Sequence, residues 1–350
     1  MIYTSIRQQQ IATLITSNGS MQSSQIHSKL IDVADNISLV TIKRELSDMA
    51  KIGILKTEGS GRNTAYDLTT MGKLFLPVDS KAYCANEPDK RAGSDSYNFE
   101  LFTSLPSQLF SDVEMQKLST ATSQFHTHGQ HVSPTIQHKE LERLIIELSW
   151  KSSRIEGNTY TLLDTEKLIV ENKEAVGHDH KESAMILNHK DAFLFIREHA
   201  SDFKTLTRIN LEELHKILVK DLSITHGLRS KPVGVAGSKY RPLDNTYQIH
   251  EAIEKLSQAV TQESNPYEKA LTALLGISYI QPFEDGNKRT SRLMANAILL
   301  AYGCAPLSYR SVDEVDYREA MLVFYELNSF MPFKEIFIEQ YTFAANNYTI

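Results

Sequence analysis

Apolar positions recur at helical spacing from the first residues of the chain. Ile11, Leu14 and Ile15 share one face of a helix predicted over Ile6 to Ile15. A short second helix is predicted over Ser23 to Leu30, and Ser38 is placed to cap a third that runs to about Met49. Two short runs follow, Gly53 to Lys56 and Thr64 to Leu68, with Gly59–Ser60–Gly61–Arg62 between them, which predicts a β-hairpin. Asp79 to Tyr97 breaks the pattern with Pro, Gly, Ser and Asn and reads as a linker. Beyond it helical periodicity dominates. Leu141, Leu144, Ile145 and Leu148 line one helix face, Phe193, Leu194 and Ile196 mark a helix over Asp191 to His199, and Leu211 to Val219 repeats the pattern. Asn265–Pro266 pairs a cap with proline at the first helical position and opens a helix to about Ile280. Another begins near Asn287, reaches Leu300 and stops at Gly303. Only Lys231 to Tyr240 reads as extended. The expected architecture is mostly α: a first domain over 1–78, a linker over 79–97, and a helical bundle with one short hairpin over 98–350.

Three helices followed by a hairpin resemble a winged helix-turn-helix, with the third helix as reader. That resemblance makes Lys43, Arg44 and Arg62 candidate DNA-binding residues, Arg62 at the wing tip. Residues 1–75 hold eight Lys and Arg against six Asp and Glu, whereas the 350-residue chain carries a net charge of −6. The sign suits DNA at this end, but strong binders show a denser basic stripe. A packing or protein-contact role stays open beside it. With 41% hydrophobic and 23% charged residues, the composition excludes a disordered or fibrous chain. Cys84 and Cys304 form no CxxC motif, which suits a reducing compartment and offers no metal cage. His178–Asp179–His180 has no accompanying His or Cys cluster and reads as a solvated turn. No apolar run approaches a membrane span and the N-terminus lacks the apolar core of a signal peptide, so a soluble, cytoplasmic protein without a membrane partner is expected.

The chemistry concentrates between Gln281 and Arg292. Gly286 permits left-handed backbone where one helix ends and the next begins, and the N–H groups opening a helix form an anion nest. Arg289 and Arg292 share a face, and the Asp285 carboxylate stands at the mouth of the nest. Such a set suits a nucleotide phosphate with its divalent cation; residue by residue it also describes a plain helix–turn–helix with a solvated arginine pair. Taken together, Pro282 to Arg292 resembles the signature of the Fic family, H-P-F-x-[D/E]-G-N-[G/K]-R-x-x-R, with Gln281 in place of the leading His. Ser152 to Gly157 resembles that family's inhibitory motif, [S/T]-x-x-x-E-[G/N]. Gly227–Leu228–Arg229 with Val233 to Tyr240 and Pro242 resembles its β-hairpin flap, whose extended edge suits pairing with a target peptide. The resemblance spans about residues 98–345.

It implies a Fic-type α-helical bundle with a short β-hairpin flap, and transfer of AMP from ATP to a Ser, Thr or Tyr hydroxyl of a protein. Gln281 takes the place of the general base; a carboxamide can only orient the target hydroxyl by hydrogen bonding, so activity is expected to be low or lost. The resemblance implies Asp285 as the Mg²⁺ ligand. Gly286, Asn287 and Lys288 become the backbone nest, with the Asn287 side chain also on phosphate. Arg289 is assigned to the β-phosphate and Arg292 to the γ-phosphate. Position 281, Asp285, Asn287 and Arg289 form the implied catalytic set, with Phe283 as a plug beneath the loop. Gly237, Ser238 and Lys239 are expected near nucleotide and target, and Tyr317 and Asn328 along an adenine pocket. Ser152, Glu156 and Gly157 form the implied brake at the end of a helix around 141–158, with Glu156 paired to Arg292 so that the γ-phosphate loses its partner. Lys288 also occurs in the Doc branch, which transfers phosphate, but that branch has Ala where Gly286 stands here. The alternatives are a nucleotide-binding, DNA-binding transcriptional regulator without catalysis and a Doc-like phosphotransferase. The implied partners are ATP with Mg²⁺, a protein bearing the target hydroxyl, DNA at the winged helix, and a second copy in a homo-oligomer.

Overall fold

The computed structural model describes residues 2–31, 37–130 and 132–350; the side chain of Arg62, expected at the hairpin tip, lies outside the described part. The chain divides into two compact units: Met1–Pro106 with Gly234–Arg241 and Glu319–Phe333, and Ser107–Val233 with Pro242–Arg318 and Lys334–Ile350.

In the first unit α1 (Ile6–Asn18) starts at Ser5, whose hydroxyl accepts from the Gln8 N–H at 3.2 Å. Next come α2 (Ser23–Ile31) and α3 (Leu39–Lys51), the latter capped by Ser38 on the Thr41 N–H at 3.2 Å. Ile11, Ile15, Ile26, Leu30, Ile42 and Leu46 are buried where these helices meet. Strands β1 (Met21–Gln22), β2 (Leu55–Glu58) and β3 (Ala65–Leu68) form an antiparallel sheet in the order β1–β3–β2, with Leu55 opposite Leu68 and Met21 opposite Tyr66. The hairpin predicted from residues 53–68 is present, joined by a strand too short for periodicity to reveal.

Helices α4 (Thr70–Leu74) and α5 (Ser80–Cys84) follow, and α5 lies inside the stretch expected as a linker. Asp79 caps it, accepting from the Ala82 N–H at 3.0 Å. The extended stretch expected at Lys231 to Tyr240 needs correcting. It contains a turn, closed by the Ser238 N–H on the Val235 carbonyl at 3.1 Å, but no strand ladder. Among the described residues, strands occur only in the first unit's sheet.

The second unit is helical: α6 (Asp112–Gln130), α7 (Pro134–Ile155), α8 (Leu162–Glu171), α9 (His180–Glu198), α10 (Arg208–Leu218), α11 (Thr246–Gln262), α12 (Pro266–Ile280) and α13 (Asn287–Ala301). Further along the chain come α14 (Glu314–Leu327) and α15 (Met331–Asn347). The Asn265 side chain caps α12 on the Glu268 N–H at 2.9 Å, with Pro266 first in the helix. Every α12 residue from Tyr267 to Ile280 is buried, which is why its apolar residues follow no single face. Helix α13 packs along α12 and against α7, α9 and α10. The end of α12 and the start of α13 therefore sit deep in the bundle, and the loop between them is held from below. Among the described residues, no helix is long and apolar enough to cross a membrane.

Candidate functional site

Helix α12 ends at Gln281, which takes a left-handed φ of 51° and returns its N–H to the Ile277 carbonyl at 3.0 Å. Its side chain is buried, and Nε2 donates to the Ser278 carbonyl at 2.6 Å. The carboxamide expected to orient a hydroxyl is thus folded back onto its own helix. The Asn287 side chain braces the loop. Its Oδ1 accepts the Phe283 N–H at 2.8 Å and its Nδ2 donates to the Phe283 carbonyl at 2.9 Å. These two bonds make the side chain part of the loop's own scaffold and leave one Nδ2–H beyond them. The N–H groups of Asn287 and Lys288 open α13, where a helix has no carbonyl to offer them, and the Gly286 N–H, also expected in the nest, is taken by Asp285. Gly286 caps α13 at φ 79°, a left-handed conformation that side chains rarely adopt. The Asp285 carboxylate is 67% exposed, accepts the Gly286 N–H at 2.6 Å and lies 3.8 Å from Arg289.

The loop rests on a histidine and an arginine. The fully buried Phe283 ring stacks on His215 of α10, with centroids 3.7 Å apart and planes 6° off parallel. His215 Nε2–H donates to the Asp285 carbonyl at 3.0 Å. Burial pushes the imidazole pKa down to about 4, so the ring is neutral at physiological pH, with the proton on Nε2. Arg229 holds the other end of the loop. Its N–H donates to the Pro282 carbonyl at 3.0 Å, its Nε to the Gln281 carbonyl at 2.6 Å, and its remaining nitrogens to the carbonyls of Lys231 and Leu243. Sequence reasoning assigned no role to His215 and placed Arg229 in the flap-like segment, not beneath the loop. The signal for His215 is a lone histidine among Leu211, Leu214 and Leu218 on the buried face of α10.

Arg292 is fully buried, one turn beyond Arg289. Nε donates to the Ser152 hydroxyl at 2.9 Å, Nη2 to the Ser152 carbonyl at 2.8 Å and Nη1 to Glu156 Oε1 at 2.8 Å. Helix α7 supplies both partners because Ser152 and Glu156 stand four residues apart, and Gly157, at φ 96°, ends the helix just past the carboxylate. Lys288 Nζ reaches the other oxygen of Glu156 at 3.5 Å. Burial alone would raise the Glu156 pKa, but Arg292 and then Lys288 hold it below the usual carboxylate range. Burial depresses the Arg289 pKa, and among the described residues Arg289 keeps only long polar contacts, 3.4 Å to the Leu218 carbonyl and 3.8 Å to Asp285.

Tyr317, expected along an adenine pocket, is buried beneath the Arg292 guanidinium, 5.6 Å from its ring centroid. The structure therefore gathers Ser152, Glu156, Gly157, Gln281, Asp285 to Arg289, Arg292 and Tyr317 within the second unit. Gly237, Ser238, Lys239 and Asn328 belong to the first. There Ser238 bonds Glu326, Lys239 the Arg91 carbonyl, and Asn328 the Asn98 amide at 3.0 Å. Lys43 and Arg44 are exposed on α3. His178 bonds Thr159 and Glu182, and His180 bonds Glu174. Among the described residues, no group of three or more His, Cys, Asp or Glu is placed to hold a metal ion.

Known proteins resemble parts of this chain. The family model described as Fic/DOC family matches residues 205–299. The protein adenylyltransferase Fic of Nematostella vectensis is 31% identical over 175 residues, 49% of this chain and 41% of that relative, so the chain spans about two fifths of its length. A Fic-domain-containing signaling protein from Bacteroides thetaiotaomicron shares the fold with a TM-score of 0.55 at 23% identity, over 65% of this chain and 94% of that one. Fic-1 from Caenorhabditis elegans does so with a TM-score of 0.57 at 19% identity, over 67% and 71% of the two chains. With its loop between α12 and α13 built as described and its helical fold shared, the chain contains a Fic/DOC-family domain.

Proposed function

We propose that this chain is a nucleotide-binding protein adenylyltransferase of low activity, restrained by Glu156. The observation that carries the proposal is Arg292, a buried cation each of whose three nitrogens donates to Ser152 or Glu156 beside an open helix N-terminus. The nest of Asn287 and Lys288 N–H groups takes a phosphate, and Arg289, loosely held, turns to it. Arg292 binds the terminal phosphate only after Glu156 yields. The exposed Asp285 carboxylate fits Mg²⁺ as its single protein ligand, because a hard cation takes the remaining oxygens from phosphate and water. Bound there, the ion offsets phosphate charge.

Gln281 holds no proton-accepting group, and its amide is tied to Ser278. Restoring the base and releasing the brake together test the proposal. The Gln281→His/Glu156→Gly protein, given α-labelled ATP and Mg²⁺, is expected to label itself, and γ-labelled ATP to leave it unlabelled. A double variant that binds Mg·ATP yet never takes up AMP contradicts adenylyl transfer, and label from the γ-position alone supports a Doc-like phosphotransferase.

A second reading has its own observation. Val40, Lys43, Arg44, Ser47 and Lys51 form one exposed stripe along α3, opposite the buried Ile42, Leu46 and Met49, with Asp48 at its side pairing Lys51 at 3.4 Å. This basic face suits the major groove of DNA, with the three-helix region acting as a winged helix-turn-helix. The chain then acts as a nucleotide-responsive DNA-binding regulator.

A further inference from the structure

Beside Arg289 and Arg292 lies a buried histidine, His189 of α9. It is fully buried, and neither ring nitrogen has a hydrogen-bond partner among the described residues. Its neighbours fix its place. Asn158, just past α7, donates to the Glu182 carbonyl at 2.9 Å and lies 3.9 Å from the Met185 sulfur, so α9 starts where α7 ends. His189 is one turn beyond Met185 on the same face. The adjacent Asn188 donates to the Leu218 carbonyl at 3.3 Å, the oxygen that Arg289 also bonds, so this turn of α9 stands beside Arg289. Helix α7 packs along α9 and carries two more buried hydroxyls without partners among the described residues, Ser149 and Ser153, four residues apart.

Burial holds the His189 imidazole well below the ordinary histidine range, and Arg292 and then Arg289 push it the same way, so the ring is neutral in the free protein. Other charges are engaged or absent on the packed elements. On α7, Glu147 pairs with Arg310 at 3.1 Å, Lys151 with Glu314 at 2.6 Å and Glu156 with Arg292 at 2.8 Å. On α10, His215 is neutral, and Glu213 and Lys216 are exposed. Helix α8 meets α9 through Leu168 and Ile186, and the short turn Ala200–Lys204 buries Phe203 and leaves Asp202 and Lys204 exposed. The two guanidiniums that keep the ring neutral are also the groups assigned to phosphate.

We propose that His189 is a positioning residue for the terminal phosphate: neutral while Glu156 holds Arg292, it takes up one proton when phosphate charge settles on the two arginines, and then backs them as a third cation. The proton comes from water and goes to a ring nitrogen, and the hydroxyls of Ser149 and Ser153 supply acceptors on the neighbouring helix. Anionic charge nearby favours the imidazolium, the more so in a buried site of low dielectric. This inference rests on the reading of the loop as a nucleotide site.

The test is calorimetry of ATP and ADP binding to Glu156→Gly and to Glu156→Gly/His189→Gln, in buffers of different ionisation enthalpy, from about pH 6 to about pH 8. ATP is expected to bring an added proton into the histidine-containing protein, so that its affinity rises by up to about 10-fold per pH unit lowered relative to the glutamine variant. ADP is expected to bring little. Spectra of the ¹⁵N-histidine-labelled protein, with His189 identified by its loss in the variant, are expected to show an imidazolium when ATP is bound at the acid end. If the glutamine variant does not fold, His189→Met serves. Equal proton uptake in both proteins, equal uptake with ATP and ADP, or a ring that stays neutral with ATP bound overturns the inference and leaves the nucleotide site standing. A Glu156→Gly protein that binds no ATP overturns the nucleotide reading and this inference with it.

Discussion

At residue 281 the chain places a glutamine where the resemblance implies a histidine, and the surroundings have closed around it. A buried carboxamide bonded to a helix carbonyl is a structural group, so the loop keeps its shape without a base. Asn287 holds that shape, because its two hydrogen bonds to Phe283 close the turn. Asn287→Ala leaves the buried Phe283 N–H and carbonyl unpaired at a cost of about 2–4 kcal/mol, which lowers the melting temperature by about 4–8 °C. Asn287→Asp retains the acceptor and loses the donor, so it falls between. Thermal unfolding followed by circular dichroism measures both; midpoints equal to the parent's for both variants contradict a closing role.

At the scale of elements, α3 divides cleanly into a buried face and the stripe of Val40, Lys43, Arg44, Ser47 and Lys51. If that stripe contacts phosphates, binding to duplex DNA fades steeply with salt, and Lys43→Ala or Arg44→Ala each lowers the salt slope by about 1. A low-salt titration with fragments of the native promoter checks this, and no shift with any fragment leaves α3 a packing or protein-contact element. Helices of this kind were legible in the sequence because short-range chemistry marks their ends. Ser38 and Asn265 cap where they were expected, and Pro266 follows its cap. The stretch 231–240 was not legible, since extended composition does not say whether a partner strand exists. Here the partners are Arg91 to Asp95, in a stretch that composition alone makes a linker.

At the scale of the whole molecule, the site depends on contacts that sequence spacing cannot supply. Glu156 and Arg292 are 136 residues apart, and only the packing of α7 against α13 brings them to 2.8 Å. The resemblance pointed to that pair. It could not show that Ser152 takes two of the guanidinium's bonds, or that His215 and Arg229 carry the loop from beneath. Removing one partner of a buried ion pair strands the other, a cost of about 3–5 kcal/mol. Glu156→Gly is therefore expected to destabilise the free protein, and a terminal phosphate restores the missing charge.

Calorimetry of ATP and ADP binding, on the parent chain and on Glu156→Gly, tests the brake directly. Hydrogen bonds to charged groups contribute about 1.5–3 kcal/mol, so ATP is expected to bind the variant at least about 10-fold more tightly, while ADP, which lacks the terminal phosphate, gains little. Equal gains for ATP and ADP, or no gain for either, would contradict the assignment of Glu156 as the group that keeps Arg292 from the nucleotide.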